Sequence, residues 1–355
     1  MDPISQGALG AALPQSLSQQ ATFRQRAATV TWVGALAGMS PDLDVLIRSS
    51  IDPLLFLEFH RQFTHSLFFI PIGALICATV FAWFTRRILT FKQTYMVCLL
   101  GYGTHALLDA CTSYGTQLLW PFSNYRFAWN NIAVVDPFAT VPLLLGVIFT
   151  WRRADPRYVR YGLIWFLIYL GLGFVQQQRA HNAALELAKS RDHGEVEIAI
   201  KPGFANILLW KSIYIYEGVY FVDAIRTGVA VTAYEGTSVA KFDVGRDLPW
   251  LDPQSQQGID VERFRWFSKD YLAMDPLRPN FVIDMRYSML PNEVNSLWGI
   301  GLTPDAEISA HVTFESDRDA SPERLASFWA MLRGDTCIPV ATSRDSTQPI
   351  CAIRL

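Results

Sequence analysis

The chain has 355 residues, 51% of them hydrophobic, with 30 Lys and Arg against 32 Asp and Glu and a formal charge of −2. Neither half carries the strongly basic face that a nucleic-acid binder needs, and five cysteines without a CxxC pair do not support a cysteine-ligated zinc module. Charge is unevenly spread: up to Gln178 basic residues lead acidic ones by 12 to 8, and beyond it they trail by 18 to 24. This asymmetry predicts a helical membrane domain over 1–177 and a small soluble α+β domain over 178–355.

In chain order, residues 3–21 and 28–41 are rich in small side chains and are expected to form weaker helices packed against longer ones. Segment 66–84 is 19 residues without a charge. As a helix it would be roughly 28 Å long, enough to span a bilayer. Segments 94–108, 137–151 and 161–175 are similarly apolar, for about five to six membrane segments in all. No basic stretch precedes the first apolar one, so no cleavable signal peptide is expected. Arg24 and Arg26, then Arg86, Arg87 and Lys92, then Arg152, Arg153, Arg157 and Arg160 fill three connections. The positive-inside rule places these in the cytoplasm, which puts 42–65, 109–136 and everything after about 177 on the outer side.

After Arg179, β-branched or alternating stretches at 195–200, 213–222, 281–287 and 308–314 predict strands. A helix is expected over 322–333, with Ser321 before it, Pro322 at its first position and Gly334 just past its end. Cys77, Cys98 and Cys111 are expected to be packing residues. Cys337 and Cys351 could pair if the domain is extracytoplasmic, two free thiols being the alternative.

His105 and Asp109 stand four apart, on one face of a helix. A buried His–Asp hydrogen bond is the ordinary outcome of that spacing, but ionisable groups inside membrane helices are usually functional. Asp42 and Asp44 repel each other unless a cation neutralises them, or unless both are simply solvated. His60 and His65 bracket Arg61 and Thr64; the imidazoles suit metal ligation or proton transfer, and Arg61 suits an anionic oxygen or an interfacial anchor. Asp136 before Pro137 suits a helix cap or a ligand. Asp2 and Gln6 are also four apart, Asp2 as a cap and Gln6 as an orienting group. The chain contains no HExxH, no GxSxG and no Walker loop. Metal-assisted hydrolysis is then the best enzymatic reading, with a water activated by the metal as nucleophile.

The stretches Asp2–Gln6, Gly38–Asp44, His60–Ser66, His105–Asp109 and Tyr114–Ser123, in that order, resemble the successive motifs of the YdjM-like membrane-bound metal-dependent hydrolases of bacteria. The resemblance covers 1–177. That family is in turn distantly similar to zinc-dependent phospholipase C and the S1-type nucleases. It implies a phospholipase C-like helical core in the bacterial inner membrane and metal ligands at Asp42, His65, His105 and Asp109. It brings Asp44 and His60 to the same site, where with Arg61 they are the catalytic candidates. Asp2, Gln6, Thr64 and Asp136 would support them. It also implies a divalent cation, zinc foremost with manganese or magnesium as alternatives, and a phosphoester or lipid head group as substrate. Membrane lipids are the expected partners and nucleic acid is not. The competing readings are a non-catalytic membrane protein with a structural metal or ion-pair site and a partner-binding soluble domain, and, third, a transporter.

Overall fold

Asp2 opens the first helix by accepting hydrogen bonds from the backbone N–H groups of Ile4 and Ser5, and Pro3 occupies the first helical position, where no N–H is needed. That helix, α1 (Pro3–Ser16), is followed by α2 (Gln20–Met39). A 3₁₀ stretch, Ser40–Leu46, follows, with Pro41 in its first turn, where it has no N–H to continue the α2 hydrogen-bond ladder. Next come the short α3 (Leu55–Phe59), a 3₁₀ turn at Phe63–His65, α4 (Ile70–Thr85), α5 (Phe91–Cys111), α6 (Pro137–Arg153) and α7 (Arg157–Ser190). Thr90 and Gln93 form a reciprocal capping box at the start of α5, and Asp136 caps α6. This computed structural model describes residues 1–338 and 350–355.

The chain divides into two units. The first comprises Met1–Ile47, Glu58–Phe174 and Phe204–Asn206; the second Arg48–Leu57, Val175–Gly203 and Ile207–Leu355. In the first unit, α1, α2 and α5 approach backbone to backbone. A Cβ added to Gly10 or to Gly101 would stand 2.6 Å from the Gly34 carbonyl oxygen, so only glycine permits this spacing. Around that contact Phe23, Val33, Ala74, Cys98 and Tyr102 form a buried core, and Cys77, Cys98 and Cys111 are buried free thiols.

The expectation of five to six membrane segments around a phospholipase C-like core is overturned. Among the described residues one helix, α7, is long and apolar enough to cross a membrane. A second qualifies only if Leu55–His65 and Ile70–Thr85, bent by 86° to each other, are taken together. The reasons are local. The uncharged run 66–84 begins as turn, so α4 has 16 residues, about 24 Å of helix. Helix α6 has 17, and α5, though 21 long, carries Lys92, Gln93, Thr94, His105 and Asp109. The outward surfaces of α4, α6 and α7 are nonetheless apolar, with Ile76, Trp83, Phe138, Phe149, Leu167 and Ile168 among the exposed side chains.

The second unit is β-rich. Strands β1 (Ile198–Pro202), β2 (Leu209–Tyr216), β3 (Val219–Thr227), β4 (Val231–Tyr234) and β5 (Ser238–Ala240) are followed by helices α8 (Val244–Asp247) and α9 (Gln256–Ser268). Then come β6 (Leu272–Met274), β7 (Phe281–Asp284), β8 (Trp298–Gly301), β9 (Thr313–Ser316), α10 (Pro322–Arg333), β10 (Cys337–Ile338) and β11 (Ile350–Arg354). They form two antiparallel sheets, one in the order β1-β2-β3-β4-β11-β10 with β5 beside β3, the other β6-β7-β8-β9. The apolar stretch 213–222 is not one strand: Glu217 and Gly218, both at positive φ, turn β2 back into β3. Helix α10 spans the expected residues and ends on Gly334 at φ 88°. Cys337 and Cys351 face each other across β10 and β11 and form a disulfide.

Candidate metal centre

Four side chains from three places in the sequence converge at one end of the first unit. Asp42 comes from the 3₁₀ stretch after α2, His65 from the turn before α4, and His105 and Asp109 from the last turns of α5; their donor atoms all lie within 4.8 Å of one another. The Nε2 atoms of His65 and His105 are 2.9 Å apart. An Asp42 carboxylate oxygen is 3.5 and 3.3 Å from those two nitrogens, and Asp109 Oδ2 is 3.3 and 3.7 Å from them. Four donors bound tetrahedrally to one zinc would stand about 3.3 Å from each other. The set therefore fits one small divalent cation.

Hydrogen bonding fixes which ring nitrogens are available. His105 Nδ1 lies 2.6 Å from the Gly38 carbonyl oxygen, which can only accept, so the proton is on Nδ1 and Nε2 carries a lone pair. Thr64 Oγ1 donates to Asp44 Oδ2 at 2.8 Å and therefore accepts from His65 Nδ1 at 2.9 Å. Burial alone would lower the His65 pKa, but the carboxylates of Asp109, Asp42 and Asp44 push it up to about 10. Without a cation, Nε2 therefore also holds a proton, 2.9 Å from the His105 lone pair. A divalent cation among the two Nε2 atoms and the two carboxylates would take the place of that proton. His105 is oriented as metal-ligating histidines are, with its second nitrogen donating to a backbone carbonyl, and His65 reaches Asp44 through the Thr64 hydroxyl.

Asp109 gives a second, independent sign. Its Oδ1 accepts from Gln6 Nε2 at 2.8 Å and from the Met1 α-amino group. Its Oδ2 is buried and has no hydrogen-bond partner. Arg61 Nε is 2.9 Å from it but misaligned for a hydrogen bond, so the pair is ionic only. A buried carboxylate oxygen left open beside two imidazole nitrogens is a group that a cation could satisfy.

The protein matches the YdjM inner membrane protein family over residues 1–180. The chain belongs to that family. It is 31% identical over 149 residues to the inner membrane protein YbcI of Escherichia coli K12, covering 38% of this chain and 82% of that one. It is 23% identical over 263 residues to the uncharacterized protein YfhP of Bacillus subtilis 168, covering 72% of this chain and 76% of that one. No solved structure matches it.

The remaining expected residues of this YdjM-family chain fall into distinct places. Both oxygens of Asp44 are engaged, Oδ1 with His60 Nδ1 at 2.8 Å and Oδ2 with the Arg61 N–H at 3.0 Å and with Thr64. Asp44 thus orients His60 and His65. Burial by itself would raise the carboxyls of Asp42 and Asp44, but the imidazoles beside them, His105 and His65 at Asp42 and His60 and His65 at Asp44, hold both well below the usual carboxylate range. Arg61 is buried, at φ 63°, a left-handed conformation that costs a non-glycine residue about 1 kcal/mol or more. Its guanidinium reaches Asp109 and Thr112 and lies over the Tyr114 ring. Gln6 orients Asp109, as its amide chemistry suggested.

Asp2 and Asp136 are helix caps. Asp136 also accepts from Tyr169, and burial pushes its carboxyl up to about 6. Gly38, Thr112 and Arg126 were not foreseen. Arg126 is buried and bonds the carbonyls of Glu58, His60 and Gly115, closing the loop that carries His60. A lone arginine in a loop and a glycine acting through its carbonyl leave no sequence signal.

A third acidic group, Asp52, Asp260 and His311, lies in the second unit. There Arg263 already supplies the positive charge, bonding Asp52 at 3.0 and 2.8 Å and Asp260 at 2.8 Å.

Proposed function

We propose that this YdjM-family protein is a membrane-bound, metal-dependent hydrolase of phosphoesters, with Asp42, His65, His105 and Asp109 holding one divalent cation. The observation that carries the reading is the convergence of two imidazole Nε2 atoms and two carboxylates, one with a buried open oxygen. Two nitrogens and two oxygens in a near-tetrahedral array favour zinc over magnesium, which demands octahedral oxygen. A cation in that position supplies Lewis acidity and lowers the pKa of water.

The chain's own residues do the rest. Asp42, at 24% exposure the most open of the four ligand side chains, marks the side from which substrate arrives. His60, also open to that side at 18%, is held through Nδ1 by Asp44, so its Nε2 is the atom placed to take or return a proton. Arg61 is a positioning residue: it pins Asp109 and its backbone N–H pins Asp44. A head-group phosphoester fits a site on a protein of an inner membrane family. We place the second unit outside the cytoplasm, because it carries a disulfide and because Arg152, Arg153, Arg157 and Arg160 cluster at the start of the spanning helix α7.

The near-complete burial of His65, His105 and Asp109 favours a second reading, a structural metal that only ties α5 to the loops. Elemental analysis of the detergent-purified protein beside a His105→Ala/Asp109→Ala double variant, followed by a phosphodiester assay, separates the two. About one equivalent of zinc in the wild type, lost in the variant, with turnover abolished by His60→Ala, supports the hydrolase. Metal without turnover, and a large fall in melting temperature on chelation, supports the structural site. No metal in either protein after reconstitution with divalent ions sinks both.

A further inference from the structure

The opposite end of the same bundle carries an open groove of about 350 Å³ between the end of α1, the start of α2 and the start of α5. Lys92, on its rim, is 13 residues from His105 along α5, about 20 Å of helix, so the groove is separate from the metal centre. Its walls include the buried apolar side chains Phe23, Val30, Leu89 and Val97, and Arg26 and Lys92 also line it. A soluble anion would have no use for such walls, and a neutral alkyl chain none for such charges.

The charge around it is one-sided. The sequence has no acidic residue between Asp2 and Asp42 or between Glu58 and Asp109, so α1, α2, α4 and α5 contribute none at this end. Arg24, Arg86 and Arg87 are exposed there. The acidic residue at the α6–α7 turn, Asp155, is taken by Arg157. The first turn of α5, which holds Lys92, adds the positive end of its dipole.

We infer that this groove binds an anionic phospholipid, with one acyl chain against the apolar walls and the head-group phosphate between Arg26 and Lys92. The inference is independent of the hydrolase reading, because none of these residues belongs to the metal centre. It predicts a preference for anionic over zwitterionic lipid on the order of thirtyfold, from two basic side chains near one head group.

The test is native mass spectrometry of the full chain in detergent, titrated with dioleoyl phosphatidylglycerol or dioleoyl phosphatidylcholine. Phosphatidylglycerol should be retained preferentially by the wild type and by Arg26→Lys. Arg26→Ala/Lys92→Ala should lose the preference, and Val97→Trp, which fills the groove, should lose retention of both lipids. The melting temperature of each variant in the same detergent should stay close to that of the wild type and so report that they fold. Equal retention of the two lipids by the wild type, an undiminished preference in the double alanine variant, or displacement by millimolar inorganic phosphate would each overturn the inference.

Discussion

Arg61 shows how much of this site is electrostatic arrangement. It is buried in a left-handed conformation, with its guanidinium against Asp109 and Thr112 and its N–H on Asp44. Removing the charge with Arg61→Met leaves Asp109 buried without its arginine counter-charge, a change that typically costs about 3–5 kcal/mol. A bound cation would offset much of that loss, since anything that binds only the folded state stabilises it by mass action. The variant should therefore melt well below the wild type in chelator, with the gap narrowing when zinc is added. A gap of equal size in both conditions would mean that no cation sits against Asp109.

At the scale of elements, the candidate ligands are placed by helix packing rather than by local chain geometry. His105 and Asp109 ride on α5, Gln6 on α1, and the Gly38 carbonyl that orients His105 on α2, so the three helices must keep their spacing for the site to exist. Gly101 is the contact that sets it. Gly101→Ala would push a Cβ to 2.6 Å from the Gly34 carbonyl, and backbone on both sides cannot yield as a flexible side chain would. Overpacking of this kind costs roughly 1–3 kcal/mol. Elemental analysis should show metal occupancy falling with stability in this variant, although residue 101 touches no ligand. Full occupancy in Gly101→Ala would show that the site assembles without the α1–α2–α5 contact.

At the scale of the whole chain, the two units are not simply successive. Residues 48–57, which in sequence separate Asp44 from His60, belong to the second unit, where Asp52 pairs with Arg263 and Phe56 packs edge-on against Phe314. The sidedness proposed for that unit is testable through its cysteines. After mild reduction of right-side-out spheroplasts, a membrane-impermeant maleimide should label Cys337 and Cys351, while Cys77, Cys98 and Cys111 stay buried. Labelling only after the membrane is permeabilised would place the second unit in the cytoplasm.

The sequence by itself determined the ingredients of the site and the family. Metal-ligand residue types recur in short, ordered groups, and the i, i+4 spacing of His105 and Asp109 puts both on one helix face whatever else the chain does. It determined α10 as well, because proline at the first helical position and glycine after the last are local preferences of the backbone. Tertiary structure decided what depends on distant residues. Whether an apolar run spans a membrane depends on where its helix starts, and for α4 the turn that carries His65 and Ser66 moved that start to Ile70. Asp42 and Asp44, indistinguishable as a pair in sequence, took different roles because only the fold brings His105 to one and His60 with Thr64 to the other. The open oxygen of Asp109 and the tautomer of His105 follow from hydrogen bonds across more than one helix, and no local pattern encodes those.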